Sequence, residues 1–142
     1  MMKEREQGFT LVELMVVIVI IGILATVVVI NVLPDVDRAS ITRAKADIAT
    51  LETAITGYRA DNLAYPSTTQ GLGALKAPPA DLRQPERYKP GGYILRLPED
   101  PWGNPYQYAS PGQHGPFDVW SMGPDGQTGG EGENADIGNW QL

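Results

Sequence analysis

The sequence predicts an α+β chain: a long N-terminal helix, first hydrophobic and then amphipathic, packed on a small antiparallel β-sheet that leads into an acidic C-terminal loop. Three observations predict it. From Phe9 to Leu33 there is one carboxylate, Glu13, and no basic residue among mostly Val, Ile and Leu, a run that spans a bilayer as a helix. From Asp35 to about Asn62 apolar residues recur at steps of three and four, the period of a helix with one buried face. Beyond Asn62 the chain fills with Gly and Pro around short alternating aromatic segments, which read as turns and strands.

The first eight residues, Met1 to Gly8, carry Lys3 and Arg5 beside Glu4 and Glu6, a modest bias that favours a cytoplasmic N-terminus. A conventional secretory signal ends its apolar core in a small-residue cleavage site. Here the small residue, Gly8, stands before the apolar run, so a cut after it leaves the helix on the mature chain. Such a cut gives Phe9 a cationic amine one helical turn from Glu13. A charged side chain inside a membrane helix costs roughly 2.5 to 3.5 kcal/mol, so Glu13 calls for a partner. The Phe9 amine, in the same chain or an adjacent copy, is one; an ordinary signal anchor whose acid snorkels to the interface is the other reading. Gly22 and Ala25 allow neighbouring helices to approach closely. Pro34 predicts a kink or local melting near Asn31 to Pro34.

Ile41, Ala44, Ile48, Leu51, Ile55 and Tyr58 form the stripe of the amphipathic half, with Arg38, Arg43, Lys45, Asp47, Glu52 and Arg59 on the rest of the surface. The pattern lasts too few heptads for a coiled coil. Tyr65 to Thr68 ends this helix and caps a short second one across Thr69 to Lys76, with Leu72 and Leu75 inward. Residues 77–92, with Pro78, Pro79, Pro85 and Pro90, are irregular. Tyr93 to Leu97 docks on the helix as a short extended segment. Tyr106 and Tyr108 then share one strand face behind tight turns at Asp100-Pro101 and Gly103-Asn104-Pro105, with Trp102 as a large buried body. Phe117 to Ser121 alternates like a second strand.

With 142 residues, a leader and a membrane-length helix, the chain has room for one small further domain. A net charge of -6 with no basic cluster beyond the leader excludes nucleic acid as a partner on electrostatic grounds. There is no cysteine, so no disulfide holds the tail. That tail, Ser121 to Asp136, places Asp125, Glu131, Glu133, Asn134 and Asp136 in a glycine-rich loop. Hard oxygen donors of this kind suit calcium, which takes about six to eight of them, and do not suit zinc or copper. The spacing is not that of an EF-hand, and a solvated acidic turn has the same composition. Against the bare turn stands the conformational entropy of so many glycines, which a bound cation would offset. His114, Asp118 and Ser121 superficially resemble a hydrolase triad, but no nucleophile elbow accompanies them. Gly71-Leu72-Gly73 lacks the lysine and spacing of a phosphate loop.

The stretch Gly8-Phe9-Thr10-Leu11-Val12-Glu13, followed by an unbroken apolar helix, resembles the N-terminus of type IV pilin-like proteins. Asp100-Pro101-Trp102-Gly103-Asn104-Pro105-Tyr106 and Asp118-Val119-Trp120-Ser121-Met122-Gly123-Pro124-Asp125-Gly126 are similar to the major pseudopilins of type II secretion systems. The resemblance implies a non-enzymatic subunit of a periplasmic filament. It implies a leader, residues 1–8, removed after Gly8 by a prepilin peptidase that methylates Phe9. Residues 9–33 become the transmembrane and filament-core helix, and residues 34–142 the periplasmic domain with the continuation of the helix. The chain is then a single-pass protein of the bacterial inner membrane that forms a homopolymer, with minor pseudopilins and an inner-membrane assembly platform as partners. Growth of the filament pushes secretion cargo toward an outer-membrane channel, and Glu13 neutralises the Phe9 amine of a neighbour. The family also implies calcium in the tail loop: Asp125 and Asp136 match acidic ligands, Met122 and Gln127 contribute carbonyl oxygens, and Glu131 and Glu133 lie in a segment that varies among relatives. Members often place a proline one turn before Pro34, where this chain has Ile30. Two alternatives stand beside this reading: a type IV pilin of adhesion, motility or DNA uptake, against which the missing cysteines and the acidic tail argue, and a solitary membrane-anchored periplasmic binding domain, which needs no processing at Gly8.

Overall fold

The computed structural model describes residues 7–142, and residues 29–35 only as part of a helix. The chain divides into two compact units between Arg38 and Ala39. Helix α1, Leu11–Asn62, contributes to both. The expected kink at Asn31 to Pro34 lies outside the fully described residues; α1 is assigned through them.

In the first unit no described residue outside α1 packs against Leu11–Val28. Leu11–Val28 has a mean hydropathy of 3.0 with none of its residues buried, long and apolar enough to cross a membrane. The helix start is built by its own sequence. Thr10 Oγ1 accepts from the Glu13 amide at 3.2 Å, and Glu13 Oε2 accepts from the Thr10 amide at 3.2 Å. This reciprocal capping box satisfies two donors that a helix N-terminus otherwise leaves open.

The second unit is organised by the amphipathic stripe. Ala44, Ile48, Leu51, Ile55 and Tyr58 are all at most 2% exposed, and Ile41 is packed against them at the edge. The long-range partners of this stripe are Leu75, Tyr88, Tyr106, Phe117, Val119 and Ile137. Tyr58, Tyr88 and Tyr93 meet edge to face, with centroids 5.2 to 6.2 Å apart, a geometry that sets the positive edge of one ring on the negative face of the next.

The sheet has three antiparallel strands in the order β1 (Gln107–Ala109), β2 (Asp118–Ser121) and β3 (Ile137–Gly138). Tyr108 pairs with Val119, and Ser121 with Ile137. The sequence reading anticipates the first two strands but not the third, since two residues carry no alternation to detect. The short second helix across Thr69 to Lys76 is instead a turn followed by a 3-10 helix at Leu72–Leu75. Ser67 and Gln70 do cap each other reciprocally, at 3.0 and 3.1 Å. Gly71 then takes φ +64°, outside helical space, so the capped turn does not propagate into an α-helix. Tyr93 to Leu97 docks as expected but bends rather than extends, because the amides of Tyr93 and Ile94 both donate to the Leu75 carbonyl, at 2.7 and 3.3 Å. Trp102 packs on the core but is only half-buried.

Tyrosine hydroxyls tie the layers together. Tyr106 donates to Asp47 Oδ2 on α1 at 2.7 Å, and Tyr108 donates to the Pro66 carbonyl at 2.6 Å. Burial, reinforced at Tyr106 by the Asp47 carboxylate, raises the pKa of both phenols, Tyr108 from 10.0 to about 12. Because the unfolded chain loses these protons first, the stability they contribute is complete below pH 10.0 and declines toward about pH 12. We expect an alkaline titration to show native phenolate absorbance for fewer than all six tyrosines until the fold itself is lost. Full ionisation near pH 10.0 with the circular dichroism unchanged would contradict the buried phenols.

Candidate functional site

Two places carry groups that the core does not explain: the segment ahead of α1 and the loop between β2 and β3. In the first, Gly8 is exposed in an irregular segment, and Phe9 is 92% exposed. Glu13 lies in the first turn of α1. Its carboxylate bonds to the Thr10 amide, a role that the sequence reading missed, although the Thr-x-x-Glu spacing of Thr10 to Glu13 is its signal. The acid therefore has two tasks available to it, capping its own helix and meeting a cation. Among the described residues no cationic side chain pairs with it.

The second place is built on a knot of polar residues. Asp100 is 3% exposed, and its Oδ1 accepts from the amides of Trp102 and Asn104 at 3.1 and 2.7 Å, which folds the Pro-Trp-Gly-Asn turn around it. Its Oδ2 accepts from Ser121 Oγ at 2.8 Å, and Ser121 Oγ accepts from the Gly123 amide at 3.1 Å. The knot anchors the entry of the acidic loop to the tight turn before β1. The loop exit lies beside the entry, because a Cβ at Gly123 would stand 3.2 Å from the Ala135 carbonyl oxygen.

Between these ends Gly123, Gly126, Gly129, Gly130 and Gly132 all take positive φ, so the backbone turns repeatedly, as only glycine does without strain. Asp125 Oδ1 accepts from the Gln127 amide at 3.1 Å, and Asp136 Oδ2 from the Gly129 amide at 3.0 Å. Asp136 Oδ1 is buried and has no hydrogen-bond partner among the described residues. A buried oxygen without a donor is costly unless something positive meets it. No protein donor is seen on the main-chain oxygens of Met122 or Gln127 among the described residues. Glu131 and Glu133 are exposed around the 3-10 turn Gly132–Asn134. Among the described residues no three His, Cys, Asp or Glu side chains converge as a metal cluster. The oxygens of Asp125 and Asp136 and the main-chain carbonyls of Met122 and Gln127 are hard donors, a kind that suits calcium and not zinc or copper.

The triad-like residues do not assemble. His114 Nδ1 stands 3.0 Å from Asp118 Oδ2, and its ring stacks on Trp140 at 3.9 Å, whereas Ser121 is committed to Asp100. Asp118 also accepts from the amides of Gln113 and His114, so it holds the β1–β2 loop closed.

The described residues thus hold an exposed apolar helix with one capped acid and a small α+β unit stapled by buried polar knots instead of disulfides. A family profile described as "Type II secretion system (T2SS), protein G" matches residues 31–140, and one described as "Prokaryotic N-terminal methylation motif" matches residues 3–29. The chain is 52% identical to the type II secretion system core protein G of Pseudomonas aeruginosa, over 99% of both chains. It is 54% identical to that of Vibrio cholerae, over 100% of this chain and 97% of the relative. The crystal structure of the major pseudopilin from the type 2 secretion system of enterohaemorrhagic Escherichia coli superposes with a TM-score of 0.69 at 44% identity, covering 79% of this chain and 96% of that one. The chain belongs to the type II secretion system protein G family.

Proposed function

We propose that this chain is processed after Gly8 and polymerises through its apolar helix into the periplasmic pseudopilus of a type II secretion system. It is a structural subunit and not an enzyme. The observation that carries the assembly step is the wholly exposed apolar stretch Leu11–Val28 with Glu13 in its first turn. In the inner membrane, lipid covers that surface; in a filament, the same surface of other copies does. Prepilin peptidase removes the leader, and the new Phe9 amine, N-methylated and still cationic, is matched by the Glu13 carboxylate of a neighbour. The globular unit then lies in the periplasm, and growth from an inner-membrane platform, with minor pseudopilins at the tip, pushes folded cargo outward. Mass spectrometry of the mature N-terminus on purified filaments tests the first step. An N-methylated Phe9 is the expected end group, and an intact Met1 in assembled filaments would overturn it.

The acidic loop binds calcium in this reading. Asp125 and Asp136 supply carboxylate oxygens, Met122 and Gln127 supply main-chain carbonyls, and Glu131 and Glu133 complete the set from the variable segment. The unpartnered Asp136 Oδ1 and the repeated positive-φ glycines support the assignment. Bound calcium orders a loop that no disulfide holds. At a hundredfold excess over the dissociation constant it stabilises the fold by about 3 kcal/mol. Chelation therefore lowers the melting temperature of the wild-type chain clearly, and that of Asp125→Ala much less. Superimposable wild-type melting curves with calcium and with chelator would remove the site.

A further inference from the structure

A recess of about 450 Å³ beside the end of α1 is lined in part by Leu63, Asp81, Leu82 and Arg83. Asp81 Oδ1 accepts from Gln70 Nε2 at 2.9 Å, and neither Asp81 nor Arg83 forms an ion pair among the described residues. The recess thus offers a negative, an apolar and a positive group in succession at positions 81, 82 and 83. None of residues 89–99 lines it.

The segment at 95–99 carries the complementary set. Leu95 is 91% exposed, more than any other large apolar side chain of the second unit. Arg96 follows it and Glu99 lies three residues further on, both exposed and both without an ion pair among the described residues. A single exposed leucine is ordinary on a protein surface. This one is held out between two fixed points: Tyr93 and Ile94 donate to the Leu75 carbonyl on one side, and Glu99 bridges Pro105 on the other. A protrusion fixed in advance loses little conformational freedom on docking.

We propose that Leu95 of one copy of this chain seats in the recess of the next copy, between Leu63 and Leu82, with Arg96 meeting Asp81 and Glu99 meeting Arg83. Knob and recess are different surfaces of the same unit, so the contact is heterologous. Heterologous contacts that do not close into a ring propagate as helical polymers, whereas a self-complementary patch would stop at a dimer. The paired charges fix register more than they add affinity. The inference rests on the polymer reading above and adds which parts of the globular units touch.

The chain has no cysteine, which makes disulfide trapping clean. Leu63→Cys and Leu95→Cys are introduced separately and together into the full chain, and filaments are oxidised and run without reductant. The two single variants co-expressed should give cross-linked dimers and nothing larger, each alone should stay monomeric, and the double variant should give a ladder. Filaments of the double variant that show no cross-link would overturn the contact, as would dimers from Leu95→Cys alone, which mean a self-pairing surface. Charge reversal provides the second arm: Arg96→Asp or Asp81→Arg each lowers filament yield about tenfold, and the two together restore it. Folded single variants whose defects merely add when combined would count against the pairing. Absence of filaments from wild type would strike the polymer reading itself, whereas wild-type filaments without the cross-link strike only this contact.

Discussion

Glu13→Gln should insert into the membrane normally and yet lower filament yield by roughly a hundredfold, the scale set by leaving one charge of a buried pair unmatched. Glutamine is chosen because it separates the two tasks of this side chain. Its amide oxygen still accepts from the Thr10 amide as the carboxylate does, so the capping box and the start of α1 at Leu11 survive. The negative charge is what disappears. In lipid that loss is harmless, since a neutral side chain inserts more readily than a charged one. Between packed helices it leaves the Phe9 amine of the neighbour without a counterion in a low dielectric. Membrane fractionation and the yield of sheared filaments measure the two effects on one culture. Wild-type filament yield from Glu13→Gln would remove the charge-matching step and leave the cap as the whole role of the residue.

Leu51→Ala should destabilise the globular unit by about 3 kcal/mol, within the range of roughly 2 to 5 kcal/mol for emptying a leucine site in a rigid core. Leu51 is 0% exposed in the middle of the α1 stripe, and the flanking Ile48 and Ile55 are equally buried, so the surroundings have little freedom to collapse into the void. For a unit of this size each kcal/mol moves the melting temperature by about 4 to 8 °C, which makes the drop large and easy to read. Thr53→Ala, on the exposed side of the same helix, is the control and should stay within about 0.5 kcal/mol of wild type. A loss at Leu51 no larger than that of the control would mean that the stripe is not the core.

Much of this fold is legible in the chain because its signals are local and periodic. The stripe from Ile41 to Tyr58 repeats with the period of the helix, and all of its expected members except the edge residue Ile41 are buried. The strands around Tyr108 and Val119 announce themselves by alternation. Gly71 is different: a glycine is visible there, but its φ of +64°, which stops the capped turn from growing into a helix, is set by the folded backbone. The buried polar knots are also hidden. Asp100 and Ser121 lie twenty-one residues apart and read as ordinary surface residues until the fold brings them to 2.8 Å. Asp118 looks like the outward position of a strand, yet the loop through Gln113 and His114 closes over it.

By itself the sequence determined the anchor, the helix it begins, the face of that helix that is buried and the acid in its first turn, because each depends on residues within one or two turns of one another. It also determined that the loop before Ile137 is made of oxygen donors and glycine. Only the tertiary structure decided that Asp136 is left with an unpartnered buried oxygen, that Ser121 locks the loop to Asp100, and that Ile137 and Gly138 complete the sheet. Those outcomes depend on which distant groups the folded chain desolvates together, and desolvation is a property of the packed arrangement that no short stretch of residues contains.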